Sequence, residues 1–318
     1  MINPYDMTKN LLFLSPLLLL VALISCDQPR DQKTGKKLDT PTTGELTVWI
    51  DEGYRPVVES AIDVFDSIYR QAKINAHYVS EGEAVAAIIR DSVQVVVIPR
   101  KLTEDELKYF RQRGFTPKMT PIAYDAVAFI LHPSNPDSVF TRDQLRDLLT
   151  GKTAKWSDLN PQSKLGPVRL VFDNPLSGTV KYVKDSIGGG APLPANASAL
   201  NTNEEVIAYV SQNPGAIGII SANIISDTDD GGVQKFLSEI RLLRVSSAVG
   251  ERGYGPYQAY LATGQYPFKR AIHVINAQAR PGLGLGFASY LAGDGQRLIL
   301  KEGMLPANAV TRLIEIQR

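Results

Sequence analysis

The stretch from Phe172 to Lys184, FDNPLSGTVKYVK, predicts a strand, a tight loop and a helix in succession. Apolar side chains occupy every second position from Val168 to Phe172, which is typical of a strand that ends at Asp173. Asn174-Pro175 is a turn signal, and Ser177-Gly178-Thr179 then opens a helix.

A helix that begins at Ser177-Gly178-Thr179 offers several features that favour an anion. Its first backbone N–H groups have no partner within the helix, the helix dipole is positive there, and glycine lets a ligand approach the backbone closely. Ser177 and Thr179 add a hydroxyl on either side of Gly178. The alternative is that Ser177 or Thr179 only caps the helix, since both are preferred cap residues.

The N-terminal segment predicts export and a lipid anchor. Lys9 precedes the apolar run from Leu11 to Ile24, which has the length of a signal peptide and is short for a membrane span. Residues 1–26 end in Cys26, the one cysteine among 318 residues, in a context that resembles the bacterial lipoprotein box. Residues 27–44 are polar and predict a flexible tether. We therefore expect an extracytoplasmic protein of the cell envelope that is anchored to a bacterial membrane by lipid at Cys26.

Composition and motifs exclude several other classes. The net charge is +1 without a basic block, so we expect no nucleic-acid partner. Gly151-Lys152-Thr153 lacks the first glycine of a P-loop, and the glycines at 282, 284 and 286 lack the spacing of a dinucleotide site. The three histidines lie far apart and there is no nucleophile-elbow motif, so no metal, cofactor or enzymatic activity is predicted.

From Leu46 onward, strand-like and helix-like segments alternate, which predicts an α/β fold with mostly parallel strands. Several landmarks in this region occur in an order that resembles the PstS-like phosphate-binding proteins of ABC transporters, a group of the periplasmic binding proteins of type II. The similar segments are Ile98 to Thr103, Ile122 to Phe129 with Asn135-Pro136, Leu145 to Trp156, Ser177 to Thr179, Gly215 to Ile219, Tyr266 to Arg270 and Phe287 to Leu305.

This resemblance implies a bilobal fold, with two mixed or parallel sheets that are flanked by helices and joined by crossing strands. The first lobe is placed at residues 45–122 and 245–318, and the second at 123–244. The family binds its ligand in the cleft between the lobes and passes it to a membrane permease. The implied ligand is phosphate or another small oxyanion, and an ABC permease is the implied partner.

Several positions depart from the family pattern in the direction of negative charge. The two loops that match the family's glycine- and hydroxyl-rich phosphate loops are Asp51-Glu52-Gly53 and Ser80-Glu81, and Asp173 stands where the family has an arginine that pairs with phosphate. These residues are retained as candidate ligand contacts, with Arg100 as a nearby source of positive charge. Either the carboxylates turn away from the cleft, or some carry a proton, or the ligand is not phosphate.

Two other functions therefore stay open beside oxyanion binding. The acidic loops favour a divergent binding protein for a cationic or peptide ligand. Alternatively, the two lobes form an interaction protein of an envelope complex that has no transport ligand.

Overall fold

The computed structural model describes residues 39–308, and strands and helices alternate through most of this range. The strands are β1 (Gly44–Asp51), β2 (Ala72–Val79), β3 (Val95–Ile98), β4 (Lys118–Leu131), β5 (Val139–Thr141), β6 (Arg169–Phe172), β7 (Ala197–Ala199), β8 (Ala216–Ser221), β9 (Arg241–Leu242), β10 (Arg244–Ser246), β11 (Lys269–Asn276) and β12 (Leu305–Pro306). The α-helices are α1 (Arg55–Ile68), α2 (Glu81–Ile89), α3 (Glu104–Gln112), α4 (Arg142–Leu149), α5 (Trp156–Leu159), α6 (Gly178–Tyr182), α7 (Asn203–Val210), α8 (Gly231–Glu239), α9 (Gln258–Ala262), α10 (Leu283–Ala292) and α11 (Gln296–Lys301).

Three shorter helical segments complete the description. Glu52–Tyr54 and Ala222–Ile225 are 3₁₀-helices, and Val183–Ile187 continues α6 as a π-helix. Within residues 39–308, none of the helices has both the length and the apolar character that a membrane crossing requires.

Two mixed sheets share the long strand β4. The strand order is β2-β1-β3-β11-β4-β8-β6-β7, with β12 and β9 also paired to β4. Residues 118–126 of β4 pair with β11, whereas Val127 to Leu131 pair with β8. The strands β1, β2 and β3 are parallel to one another, as are β6, β7 and β8, whereas β11 is antiparallel to β3 and all pairs that involve β4 are antiparallel. The predicted α/β fold of two sheets with a crossing strand is thus confirmed.

The buried apolar residues fall into separate cores on the two sides of the shared strand. Two clusters combine residues 46–123 with residues 272–304, and a third runs from Ala126 to Phe268. The third cluster includes Val245, Leu261 and Tyr266, which the sequence assigned to the first lobe. We therefore propose a second lobe that extends to Phe268, as an alternative to the predicted boundary at 245. That boundary and the one at 122 stay predictions.

Part of the predicted tether contacts α10 and the loop that precedes it. Asp39 accepts hydrogen bonds from the backbone N–H of Leu283, at 2.7 Å, and from the side chain of Gln278, at 3.1 Å. Thr40 and Thr43 form a backbone bridge just before β1 begins. The predicted signal peptide, Cys26 and residues 27–38 of the tether lie outside the described residues, as do residues 309–318 of the predicted first lobe.

Candidate functional site

The loop between β6 and α6 has the strand, turn and helix order that its sequence predicts. The strand β6 ends at Phe172, and Asn174 accepts a hydrogen bond from the backbone N–H of Leu176 at 2.8 Å. Ser177 precedes the first residue of α6, where its hydroxyl accepts from the N–H of Val180 at 3.2 Å. The same hydroxyl donates to a carboxylate oxygen of Asp173 at 2.5 Å. Ser177 is therefore a cap residue, and its partner is one of the predicted site carboxyls.

The strands β1, β2, β3 and β11 with their helices form the first half of the molecule, and β6, β7 and β8 with theirs form the second half. The Ser177 loop belongs to the second half and lies against the first. The backbone N–H of Gly82 donates to the carbonyl oxygen of Leu176 at 3.1 Å. A Cβ atom at Gly178 would clash with Pro99, and it would lie 2.7 Å from Glu81 Oε2 and 3.1 Å from Asp51 Oδ2. Only glycine fits this approach, because any side chain would push the two halves apart. Gly178 is thus a contact point between the halves.

Asp51 lies at the end of β1 and faces the loop at Gly178. Its side chain is buried, and its Oδ1 atom accepts from the backbone N–H of Gly53 at 2.9 Å. Burial raises the pKa of Asp51 to about 7, with further rises from Glu81 and Asp173 and opposing effects from Arg270 and the N–H of Gly53. Asp51 therefore carries a proton for part of the time at neutral pH.

The neighbours of Asp51 in the sequence take different positions. Glu52 is half-buried, and burial raises its pKa, as do the nearby Glu83 and Glu204. Gly53 is buried, and its carbonyl oxygen accepts from the side-chain amide of Asn223 at 2.5 Å. Since Asn223 follows β8 of the second sheet, Gly53 is a second point where the two halves meet.

The start of α2 carries two of the predicted site residues, Ser80 and Glu81, and Arg100 pairs with Glu81. The hydroxyl of Ser80 caps α2 in a capping box with Glu83. Glu81 is buried and pairs with Arg100 Nε at 2.6 Å, and the Nη1 and Nη2 atoms of Arg100 pair with Glu106 at 2.6 and 2.8 Å. The positive charge of Arg100 is thus already matched by two carboxylates.

Asp173 is buried directly under the Ser177 loop. Burial raises the pKa of Asp173 to about 6 and Glu52 adds to this, although the hydroxyl of Ser177 and the charge of Arg270 act in the opposite direction. Asp51, Glu81 and Asp173 are therefore all buried near the loop. Of the three alternatives that the sequence left open, these positions favour a proton on some of the carboxyls, or a ligand other than phosphate, over carboxylates that turn away from the loop.

The sequence interpretation missed a buried cation at the floor of this region. Arg270 and Asp125 face each other across the pairing of β11 with β4, and Arg270 Nη2 lies 3.0 Å from Asp125 Oδ2. Arg270 Nη2 also donates to Ser221 Oγ at 2.7 Å, and Nη1 lies 3.5 Å from Thr179 Oγ1. Both charged side chains are buried. Burial acts to lower the pKa of Arg270, but Tyr54, Asp125 and Asp51 together outweigh it and hold that pKa above its usual range.

The sequence contained one signal for this pair. Asp125 interrupts the otherwise apolar segment from Ile122 to Leu131, and a buried carboxylate requires a partner. Its partners are the guanidinium of Arg270, the hydroxyl of Tyr54 at 3.0 Å and the hydroxyl of Ser221 at 2.6 Å. The network therefore connects β4, β8 and β11 with the segment that follows β1.

A groove borders the Ser177 loop. It has a volume of about 420 Å³ and is lined on one side by Glu81 and Arg100, and on the other by Leu176, Ser177 and residues of α6. The groove therefore lies beside the loop, at the contact between the two halves.

Comparisons with known proteins agree with this architecture. The phosphate-binding protein PstS of Pseudomonas aeruginosa PAO1 is 22% identical over 280 residues, which cover 83% of this chain and 80% of that protein. PstS of Bacillus subtilis strain 168 is also 22% identical, and the match covers 94% of this chain and 95% of the relative. A solved structure from Clostridium perfringens, described as a candidate substrate-binding protein of a phosphate ABC transporter with bound phosphate, has the same fold, with a TM-score of 0.68 and 20% identity over 83% of this chain and 100% of its own.

A family model described as a PBP superfamily domain matches residues 36–294. This match spans both sheets, the shared strand β4 and the Ser177 loop. The chain belongs to the PBP superfamily, and among the proteins of that superfamily it is similar to the PstS phosphate-binding proteins.

Proposed function

We propose that this protein binds phosphate, or a related small oxyanion, between its two halves as the solute-binding component of an ABC transporter. The observation that carries this proposal is the position of the loop Ser177-Gly178-Thr179 at the contact between the halves, with the guanidinium of Arg270 3.5 Å from the hydroxyl of Thr179. The two PstS relatives named above are phosphate-binding proteins, which supports the same ligand.

Arg270 offers a physical replacement for the arginine that the family has at the position of Asp173. A guanidinium is always charged and matches the geometry of a phosphate group. Arg270 comes from β11 instead of the loop after β6, but its Nη1 atom points to the same loop through Thr179. We therefore assign it the role of the cation that attracts the ligand.

The cell-envelope location belongs to the same proposal. We infer that the chain is exported, carries lipid on Cys26 and delivers its ligand to a permease, because the sequence of residues 1–26 resembles a lipoprotein signal. Metabolic labelling with a radioactive or clickable fatty acid tests the anchor, and a Cys26→Ala variant should lose the label. That the protein lacks enzymatic activity stays a prediction.

Calorimetric titration with potassium phosphate tests the ligand. The wild-type protein should release or absorb heat with saturable binding, and Thr179→Val should weaken the affinity about tenfold or more, because the variant lacks a hydroxyl beside the ligand position. Thr228→Val alters an exposed threonine in the segment before α8 and serves as the matched control, with unchanged affinity expected. Absence of binding to phosphate, arsenate and sulfate would exclude an oxyanion ligand while leaving the fold intact.

A cationic ligand is the second candidate, and one pocket favours it. A pocket of about 230 Å³ between the halves is lined by Glu204, Asp227, Asp230 and Glu302, and by Val57, Phe236 and Met304, without a lysine or arginine among its lining residues. Burial raises the pKa of Glu302, and the charge of Asp227 contributes. Stabilisation of the wild-type protein by an organic amine, lost in Glu302→Gln but kept in Thr179→Val, would favour this function.

A further inference from the structure

The charges around the Ser177 loop do not balance as they stand. The buried carboxyls near the loop and the floor below it are those of Asp51, Glu81, Asp125 and Asp173. Arg100 is paired with Glu81, and Arg270 is paired with Asp125. Among residues 39–308, no lysine or arginine forms an ion pair with Asp51 or Asp173. Two buried carboxyls therefore remain without a cationic partner next to a proposed anion site.

These two carboxyls reach the loop from opposite halves of the molecule. The Oδ2 atom of Asp51 would lie 3.1 Å from a Cβ atom at Gly178, and Asp173 accepts the hydrogen bond of Ser177 at 2.5 Å. An oxyanion bound at this loop must therefore come close to both side chains. If both were ionised, each would repel the ligand, and water could not screen the repulsion in a buried site.

We propose that the cleft binds its oxyanion together with protons on Asp51 and Asp173, so that both neutral carboxyls donate hydrogen bonds to ligand oxygens. This inference rests on the proposed function and specifies how the same site recognises its ligand. The protons come from solvent as the ligand enters. The guanidinium of Arg270 pairs with Asp125 through Nη2 and presents its Nη1 atom to the loop, 3.5 Å from Thr179 Oγ1. Protonation turns the two acids from repelling groups into hydrogen-bond donors.

The groups that face the two acids favour this state. Around Asp51 these are Glu81 of α2, Asp173 and Arg270, and around Asp173 they are Glu52 and Arg270. Three of these neighbours are carboxyls and one is a cation that is already paired with Asp125. Burial raises the pKa of Asp51 to about 7 and that of Asp173 to about 6 before any ligand is bound, and an added anion raises both further.

Calorimetry across pH measures the coupling directly. The wild-type protein and the variants Asp51→Asn, Asp173→Asn and the two combined are titrated with potassium phosphate at pH 6, 7 and 8. Each titration is run in two buffers of different ionisation enthalpy, so that the number of protons taken up per phosphate is obtained. Phosphate itself titrates in this range and its bound protonation state depends on the neighbouring groups, so the same titrations are repeated with sulfate, which does not titrate between pH 6 and pH 8. Asp229→Asn removes an exposed acid and is the control.

We expect the wild-type protein and the control to take up more protons per phosphate at pH 7 to 8 than the double variant does. The affinity for phosphate should also rise from pH 8 to pH 6, and the factor by which it rises should be about ten times larger for the wild-type protein than for the double variant. This is the effect expected when at least one proton is taken up on binding. The infrared band of a protonated carboxyl should grow when phosphate is added at pH 7.5. The growth should be smaller in each single variant and absent in the double variant.

The opposite results separate this inference from the function on which it rests. If the proteins bind phosphate with parallel pH profiles, equal proton uptake and no carboxyl band, the proton coupling is wrong and the phosphate function stands. If none of them binds phosphate at any pH, the proposed function is wrong and the coupling is overturned with it. Thermal unfolding of each variant at pH 6 verifies that the asparagine variants are folded.

Discussion

Asp125 and Arg270 show how two single residues set the character of the region between the sheets. Both side chains are buried. Burial of either charge alone would lower the stability of the fold, because an environment of low dielectric constant penalises an unpaired charge. Asp125 Oδ2 accepts hydrogen bonds from Arg270, Tyr54 and Ser221, and its Oδ1 atom accepts from the backbone N–H of Asn223, so both carboxylate oxygens are satisfied. The pair therefore fixes the relative positions of the strands on which the ligand loop rests.

Replacing Arg270 by leucine should strongly destabilise the protein. The change leaves the carboxylate of Asp125 buried without its cation, which costs about 3–5 kcal/mol in the free energy of unfolding. Urea unfolding monitored by circular dichroism measures the loss. Arg111→Leu is the matched control, because Arg111 pairs with Glu104 on the surface, where such a pair contributes about 0–1 kcal/mol.

A second variant separates the lost charge balance from lost packing. Arg270→Leu combined with Asp125→Leu removes both charges, and it should recover a large part of the stability that Arg270→Leu alone loses. Equal stability of the single and double variants would contradict the account of Asp125 as an uncompensated charge.

At the scale of elements, local sequence signals located most strands and helices correctly. The mostly apolar run at residues 93–98 is typical of a buried strand and contains β3. The sequence pattern at residues 215–220 favours a strand and matches β8, and the pattern at residues 203–212 favours a helix and contains α7. The helix α8 was not predicted, because it begins with Gly231-Gly232 and glycine is a poor helix former. Its cap, Asp230, accepts from the N–H groups of Gly232 and Val233 and is the signal that could have identified it.

The helix α10 has a cap that no local pattern could predict. Gly282 stands at its N-cap position without a side chain to accept a hydrogen bond, and the carboxylate of Asp39 takes that role from the far end of the sequence. A Cβ atom at Gly286 would overlap the carbonyl oxygen of Pro41, so the segment from 39 to 41 lies tightly against this helix. The end of the predicted tether is thus part of the folded structure.

Asp39→Ala should lower the free energy of unfolding by about 0.5–2 kcal/mol, as expected for the loss of a helix cap. Chemical denaturation of the protein lacking residues 1–26 measures the change, and Asp229→Ala, which alters an exposed acid, should have no effect beyond about 0.5 kcal/mol. Equal stability of Asp39→Ala and the control would show that the contact between Asp39 and α10 does not contribute.

At the scale of the whole molecule, the two halves contact each other around the ligand loop. The contacts are the hydrogen bonds from Gly82 to Leu176 and from Asn223 to Gly53, together with the close approach of Gly178 to Pro99. These contacts bring the carboxyls of both halves close together. The stability of the protein should consequently depend on the protonation of Asp51 and Asp173.

The sign of this dependence follows from the pKa values. The folded protein holds a proton on Asp51 up to about pH 7, whereas the unfolded chain releases it near pH 4. The stability that this proton provides is therefore full below pH 4 and is lost as the pH rises to about 7. The same holds for Asp173 up to about pH 6.

Asp51→Asn should remove this loss, since asparagine does not titrate. The free energy of unfolding of the variant should rise relative to that of the wild type by about 1.4 kcal/mol or more between pH 5 and pH 8, the equivalent of at least one pKa unit. Denaturant unfolding across this range, without phosphate, measures the difference. A constant difference between Asp51→Asn and the wild type at all pH values would contradict the raised pKa of Asp51, and Asp229→Asn should give such a constant difference.

The α/β alternation, the strand-loop-helix unit around Ser177 and the resemblance to the PstS-like proteins can all be read from the amino-acid order, because they depend on periodicity, turn residues and caps within short segments. The folded chain was needed to reveal that Arg270 lies opposite Asp125, 145 residues away, and that Asp51 and Asp173 are buried beside the same loop. Those relations depend on strand register and on the approach of two sheets, which bring together residues that no local pattern connects.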